Sequence, residues 1–137
     1  MVVYFPVFFW WKLVPVSFEI DDGVIILRMV GAYSTAELRD AVVASVDAPE
    51  SANAIGMVFN VCESDALKTR TADDVTSMGY FLASKSDRFS HRIALVGSSD
   101  FLFGMMRLGS AALEQLRVGN QVFRTEAEGI QWLRQPK

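Results

Sequence analysis

The sequence contains only one cysteine, Cys62, and only one histidine, His91. A single thiol cannot form a disulfide within the chain, and structural metal sites commonly combine several cysteine and histidine ligands. We therefore expect no intrachain disulfide, no metal ion held by such ligands and no bound cofactor.

The sequence also lacks an excess of positive charge, since 13 basic and 16 acidic residues leave a net charge of −3. Proteins that hold a phosphate backbone normally carry a basic surface, so nucleic acid is not an expected partner. Charged residues make up 21% of the chain and hydrophobic residues 51%, which excludes a disordered or low-complexity chain. A length of 137 residues predicts one folded domain.

No hydrophobic run is long enough to predict a helix that spans a membrane. Residues 1–16 are strongly apolar, but Pro6, Lys12 and Pro15 interrupt them, and a spanning helix needs roughly 20 apolar residues. The early positive charge and the cleavage site of a secretory signal are missing. Three interpretations stay open: an added edge strand, an arm that covers a neighbouring subunit, or a non-native extension. An interfacial anchor is less favoured because a basic face is missing. We expect a cytoplasmic protein whose domain spans residues 17–137.

The domain begins with the pattern of a β-hairpin. Two runs rich in β-forming residues, Ser17–Ile20 and Val24–Val30, flank the turn sequence Asp21-Asp22-Gly23. Ser34 and Glu37 then have the spacing of a capping box, which predicts a helix that continues to about Val46.

Three further strands alternate with helices in the rest of the chain. Short apolar runs without polar alternation are typical of strands covered on both faces, and each is followed by a capping residue and a helical pattern. The predicted strands are Ile55–Val61, Ile93–Val96 and Val122–Phe123, and the helices after them begin at Thr71, at Ser98-Ser99-Asp100 and at Thr125. The order ββαβαβαβα predicts an α/β sandwich in which a hairpin precedes parallel strands.

This topology argues against a catalytic cysteine. Cys62 follows the carboxyl end of one predicted parallel strand, whereas His91 precedes the amino end of the next, so the two side chains lie at opposite edges of the sheet. A serine triad around His91 fails for the same reason. No glycine-rich phosphate loop or nucleophile elbow is present. We therefore expect no enzymatic activity.

Three carboxylates keep a weaker alternative open. Glu63, Asp65 and Asp100 follow the carboxyl ends of central strands, where open α/β sheets usually bind ligands. A hydrolase would need these carboxylates together in a cleft with perturbed pKa values. The simpler interpretation is that Asp100 caps its helix and the other two lie in a solvated loop.

A block at the start of the third helix is more apolar than one buried stripe requires. It contains Phe101, Phe103, Met105 and Met106, and methionine adapts its shape to varied partners. Either the whole block is buried, or part of it is exposed and contacts a partner or a ligand. The same surface would include four residues at the ends of the strands, namely Asn60, Cys62, Ser99 and Asp100.

Four sequence segments together resemble the SpoIIAA-like proteins of the STAS superfamily, the sulfate transporter and anti-sigma factor antagonist domains. They are MVFNV, RIALVG, FLFGMMRL and VFRTEAEGIQWL, and the resemblance extends from Ser17 to Leu133. It implies a small cytoplasmic module without catalytic residues that acts by protein–protein signalling. We expect a homodimer with a protein partner. The CRAL-TRIO-like branch implies the alternative, binding of a small apolar, lipid-like ligand.

In antagonist proteins of this superfamily, a strand that ends in aspartate leads to a DSSG sequence whose serine is phosphorylated. Here the strand ends at Asn60 and DSSG is absent. By loop length the equivalent position lies between Lys68 and Thr71, which makes Thr69 and Thr71 the candidate phospho-acceptors. A phosphate there would lie at a helix amino terminus beside basic residues, although Thr71 is also explained as the helix cap.

Overall fold

The computed structural model describes residues 2–3 and 14–136. The predictions that concern Pro6 and Lys12 lie outside these residues. A mixed sheet is flanked by helices, so the α/β class predicted from the sequence is confirmed. The strands are β1 (Val2–Val3), β2 (Val16–Asp21), β3 (Val24–Val30), β4 (Gly56–Glu63), β5 (Arg92–Val96) and β6 (Gly119–Phe123), and the helices are α1 (Thr35–Asp47), α2 (Ala72–Ser84), α3 (Asp100–Gln115) and α4 (Glu126–Arg134).

The order of the strands in the sheet is their order in the chain. β2 and β3 form the predicted antiparallel hairpin, with Phe18 opposite Leu27. Asp22 (φ 47°) and Gly23 (φ 82°) are both left-handed, as two-residue turns that follow the twist of the strands require. β1 pairs antiparallel with β2, and β3 to β6 are parallel neighbours.

The helices are divided unequally between the two faces of the sheet. Leu38, Val75 and Met106, from α1, α2 and α3, pack on one face in the larger hydrophobic core. On the other face, Leu133 of α4 packs against a smaller cluster that includes Val58 of β4. Because both faces of the central strands are buried, β4 and β5 show no polar alternation.

The capping predictions are confirmed for three helices. Ser34 and Thr71 each form a complete capping box, and the Thr125 hydroxyl accepts a hydrogen bond from the amide of Glu128. At α3 the cap is Ser99, whose Oγ accepts from the Leu102 amide at 3.1 Å. The interpretation of Asp100 as the cap is therefore wrong, because it is already the first helical residue.

The last strand starts earlier than predicted. The sequence predicts a third helix that runs to about Leu116, closed by Gly119-Asn120, and a strand at Val122–Phe123. The helix ends at Gln115, close to the prediction, and Arg117 takes the left-handed conformation (φ 61°) that often terminates helices. Gly119 and Asn120 therefore already belong to β6.

Candidate functional site

The carboxyl ends of β3 to β6 lie along one edge of the sheet, and most of the candidate residues are found there. Asn60 and Cys62 lie in β4, Ser99 and Asp100 follow β5, and Arg124 follows β6. Parallel neighbouring strands bring these positions to one edge, which is where ligands bind in many open α/β sheets.

A polar cluster joins this edge to α4. Arg28 of β3 donates to both carboxylate oxygens of Glu126, from Nε to Oε1 at 2.9 Å and from Nη2 to Oε2 at 2.8 Å. On its other side, Arg28 Nη2 lies 2.5 Å from Glu19 Oε1 of β2. Asn60 Nδ2 donates to Glu126 Oε1 at 3.0 Å. A bidentate pair of this kind fixes orientation as well as adding energy, so Glu126 fixes the start of α4 on the sheet.

The ion pair between Arg28 and Glu126 shifts the pKa values of both side chains. Burial favours the neutral form of Glu126, but hydrogen bonds from Arg28 and Asn60 and the positive charge of Arg28 outweigh that effect and lower the pKa of Glu126. Burial also disfavours the charged form of Arg28, yet Glu126 and Glu19 together raise the pKa of its guanidinium. Both groups are therefore charged over the ordinary pH range.

Asn60 and Cys62 have internal partners on the same side of the sheet. The backbone N–H of Cys62 donates to Asn60 Oδ1 at 2.9 Å, and Cys62 Sγ lies 3.8 Å from the carbonyl oxygen of Val96. Cys62 is half-buried against the α4 cluster. Asn60, which also binds Glu126, thus supports the local structure more than it faces a partner.

The imidazole of His91 is remote from Cys62. His91 directly precedes β5 and its Nδ1 lies 2.8 Å from Ser86 Oγ, whereas Cys62 reaches Val96 at the far end of β5. A strand rises about 3.3 Å per residue, so the two ends of β5 are too far apart for a hydrogen bond between the side chains. The predicted separation of the thiol and the imidazole is confirmed.

The Asp100 carboxylate forms an ion pair with Arg124 and is not paired with another carboxylate in the described residues. Arg124 Nη1 donates to Asp100 Oδ1 at 2.9 Å and to the carbonyl oxygen of Ser98 at 3.2 Å. Its guanidinium also lies over the ring of Phe103, with Cζ 4.3 Å from the centroid. Arg124 thus joins the loop after β6 to the first turn of α3. In the described part of the chain, no three His, Cys, Asp or Glu side chains lie close enough to hold a metal ion.

The apolar block at the start of α3 is divided between core and surface. Met106 is buried and Met105 is partly buried against the core. By contrast, Phe101 is 47% exposed, and Leu108, two helical turns later on the same side of α3, is 41% exposed. The alternative of a completely buried helix start is therefore wrong. Between the two exposed residues, a Cβ added at Gly104 would have no neighbour within 4 Å among the residues that the structure describes, so within that part of the chain this face of α3 is uncovered. We call Phe101, Gly104 and Leu108 the α3 surface.

A small apolar cavity lies beneath α2 and α3. Its volume is about 50 Å³, and Tyr33 and Arg70 are among its polar lining residues. The Arg70 guanidinium donates to the carbonyl oxygen of Tyr33 and lies over the tyrosine ring, with Cζ 5.2 Å from the centroid. Burial raises the pKa of the Tyr33 hydroxyl, and the charge of Arg70 partly offsets this.

The candidate phospho-acceptors differ in what their hydroxyls do. Thr71 Oγ1 accepts the amide of Asp74 at 3.1 Å as the cap of α2, whereas Thr69 Oγ1 donates to the carbonyl oxygen of Ala66 at 3.1 Å. Both threonines are exposed. Of the two neighbouring cations, Arg70 is engaged with Tyr33, so Lys68 is the remaining candidate to contact a phosphate.

The residues predicted from the sequence did not include Arg28, Glu126 or Tyr33, and Arg70 was predicted only as a cation beside the candidate phospho-acceptors. A signal existed for Arg28, which is a single charge within the apolar strand run VIILRMV and so needs a partner. Its partner Glu126 is 98 positions away, and no local pattern connects the two. Arg124 lies in the segment VFRTEAEGIQWL, which carries part of the family resemblance, but nothing in that segment indicates its contact with α3.

No helix in the described residues is long and apolar enough to cross a membrane. Comparisons with protein-family models, curated proteins and solved structures gave no match for this chain. The function must therefore be argued from the geometry.

Proposed function

We propose that this chain is a non-enzymatic protein-interaction module of the STAS-like type, cytoplasmic and homodimeric, which binds a protein partner through the α3 surface. The observation that carries this proposal is the exposure of Phe101 and Leu108 on one face of α3. Single exposed apolar residues are common and need no explanation. Phe101 and Leu108, however, lie two turns apart on the same side of α3 and together form an apolar stripe.

The neighbouring residues suit a binding surface. Phe103 is partly buried beneath the Arg124 guanidinium, and aromatic residues and arginine are enriched where binding energy concentrates in interfaces. Because Arg124 is held by Asp100 and by the ring of Phe103, less of its conformational entropy remains to be lost on binding. Arg124 therefore adds a partly ordered positive charge at the first turn of α3, the turn in which the α3 surface begins.

Affinity purification with matched variants tests this function. Phe101→Asp places a charge in the α3 surface, and Val43→Asp makes the same change at a 37% exposed position of α1. We expect one or more proteins to bind the wild-type chain and the Val43 variant but not the Phe101 variant. Equal recovery with all three chains, or no recovered protein, would contradict the proposal, provided that circular dichroism shows all three folded.

Regulation by phosphorylation would act close to the cavity. Thr69 is the better acceptor of the two candidates, because modification of Thr71 would remove the cap of α2. A phosphate on Thr69 would be within the reach of Lys68 at the start of the helix, where the helix dipole also favours it. Intact-mass analysis of protein purified from its source, with Thr69→Ala as the control, measures this directly.

The second candidate function is binding of a small apolar ligand, and the cavity beneath α2 and α3 supports it. Its volume of about 50 Å³ is well below the roughly 300–1,000 Å³ of most ligand pockets, so a lipid-sized molecule requires the helices to separate. Native mass spectrometry distinguishes the two functions. A co-purifying lipid-sized mass favours the carrier, whereas a ligand-free dimer favours the interaction module.

A further inference from the structure

One edge of the sheet is open. In the described residues, β6 pairs with β5 alone, and its residues Gly119 and Gln121 are exposed. Natural sheets usually protect such an edge with proline, charge or a bulge. The segment GNQVF has no proline and no charge, and its pairing with β5 runs without a register shift. Within the described residues the edge is thus regular and carries none of these three features.

The register shows which backbone groups face outward. The Gly119 N–H donates to the carbonyl oxygen of His91, and the Gly97 N–H donates to the carbonyl oxygen of Phe123. The backbone groups of every second residue of β6, beginning with Gly119, therefore point towards β5. The N–H and C=O groups of Asn120 and Val122, which lie between them, therefore point away from the sheet. Their side chains are half-buried: Asn120 Oδ1 accepts a hydrogen bond from Ser110 of α3, and Val122 packs against the larger core. The backbone is therefore the group that remains available.

We propose that β6 pairs antiparallel with β6 of a second copy of this chain, about a two-fold axis at Gln121. Asn120 then lies opposite Val122 of the second copy and Val122 opposite its Asn120. Both pairs consist of outward-facing residues, so each exchanges two backbone hydrogen bonds. The edge is therefore complementary to itself, as an interface with two-fold symmetry requires. This inference rests on the homodimeric state proposed above and specifies its contact.

The charges near β6 agree with a second copy as the occupant. The nearest basic residues, Arg117 and Arg124, lie on either side of the neutral segment. In the two-fold arrangement Arg124 lies opposite Val118 of the second copy and Arg117 opposite its Thr125. No two like charges lie directly opposite each other across the pairing, where repulsion between side chains would be strongest.

The residue on the axis provides a sharp test, because Gln121 would face its own copy. Gln121→Lys and Gln121→Glu change only an exposed side chain, and each variant would place two like charges opposite each other. We expect each to weaken dimerisation about tenfold or more. An equimolar mixture should recover a heterodimer at least as stable as the wild-type dimer. Ala44→Lys and Ala44→Glu, at an exposed position of α1, are the matched controls and should change nothing.

A second variant tests the backbone itself. Val122→Pro removes an N–H that points away from β5, so the fold should remain while the outward hydrogen bond is lost. Sedimentation equilibrium and native mass spectrometry measure association, and circular dichroism verifies folding. A monomeric wild-type chain would overturn both the homodimer and this contact. A dimer that tolerates all the Gln121 variants would overturn the β6 contact alone, and partner binding through Phe101 is measured separately in either case.

Discussion

Replacing Glu126 by glutamine tests the ion pair that holds α4 on the sheet. The glutamine keeps the size of the side chain and can still hydrogen-bond to Asn60, but it removes the negative charge beside Arg28. Arg28 would retain its ion pair with Glu19, at 2.5 Å. Both partners of the lost pair have side chains that are 24% exposed, so the site is neither fully buried nor freely solvated.

The loss of stability expected for Glu126→Gln lies between the losses measured for surface ion pairs and for buried ion pairs. An exposed pair contributes about 0–1 kcal/mol, whereas breaking a buried pair costs about 3–5 kcal/mol. With bidentate geometry and one remaining carboxylate on Arg28, we expect Glu126→Gln to lower the free energy of unfolding by about 2 kcal/mol at neutral pH.

The pH dependence follows from the lowered pKa of Glu126. A carboxylate whose pKa is lower in the folded state stabilises the fold above its unfolded pKa, and this contribution is lost as the pH falls through the folded value. The difference between wild type and Glu126→Gln should therefore be full at neutral pH. It should begin to shrink below about pH 4.3, the ordinary pKa of glutamate, because protonated glutamate resembles glutamine.

Urea unfolding followed by circular dichroism at several pH values measures this difference. Glu128→Gln is the control, because it lies in the same first turn of α4 and its carboxylate bonds Thr125 instead of Arg28. The assigned role of the ion pair is contradicted if Glu126→Gln lowers the free energy of unfolding no more than Glu128→Gln does, or if the loss caused by Glu126→Gln is the same at neutral and acidic pH.

Three further predictions concern local packing and backbone conformation, and each is measured by urea or thermal unfolding. Gly79→Ala should destabilise the fold by about 1 kcal/mol or more, because the added Cβ would lie 2.9 Å from Cβ of Ala112 in α3. Gly109→Ala should instead stabilise the fold by up to about 1 kcal/mol, because its Cβ would lie 3.8 Å from a side-chain carbon of Val75, an ordinary contact. Equal effects would be inconsistent with the α2–α3 packing. Arg117→Gly should stabilise by about 0.5 kcal/mol, since glycine accepts φ 61° without penalty; a loss of stability contradicts this. Thr71→Ala should cost about 1 kcal/mol as the loss of a cap and Thr69→Ala less, and the reverse order would contradict the assigned cap.

The parts of the fold that the sequence predicted are those encoded by neighbouring residues. The capping boxes at Ser34 and Thr71 need partners only three positions away, and the hairpin needs only the turn at Asp22 and Gly23. The division of helices between the two faces could not be predicted. β4 and β5 are buried on both sides, and such strands carry no alternation to show which face a later helix covers.

The candidate site was predicted less completely, for a related physical reason. Exposure of Phe101 depends on which side of α3 meets the core, and a helix start that is apolar on most sides gives no preferred direction. The Arg28–Glu126 pair and the contact of Arg124 with Phe103 join elements that are distant in sequence. Where the prediction was close, as for Asp100 following β5, topology alone placed the residue, but only the structure gave its partner.

The short segment after β6 links the two faces of the molecule. Phe123 lies on the α4 side, where its ring centroid is 5.8 Å from that of Trp132, whereas Arg124 turns to the opposite side and contacts Phe103 of α3. Two residues further, Glu126 returns to the α4 side and binds Arg28. Phe123 and Arg124 lie on opposite sides because side chains alternate along a strand, whereas Glu126 is already the first residue of α4. Three near-consecutive side chains thus hold α3 and α4 in a common frame. Because this segment also ends the open edge strand, a dimer formed through β6 and a partner bound at the α3 surface would each contact structure positioned by the same few residues.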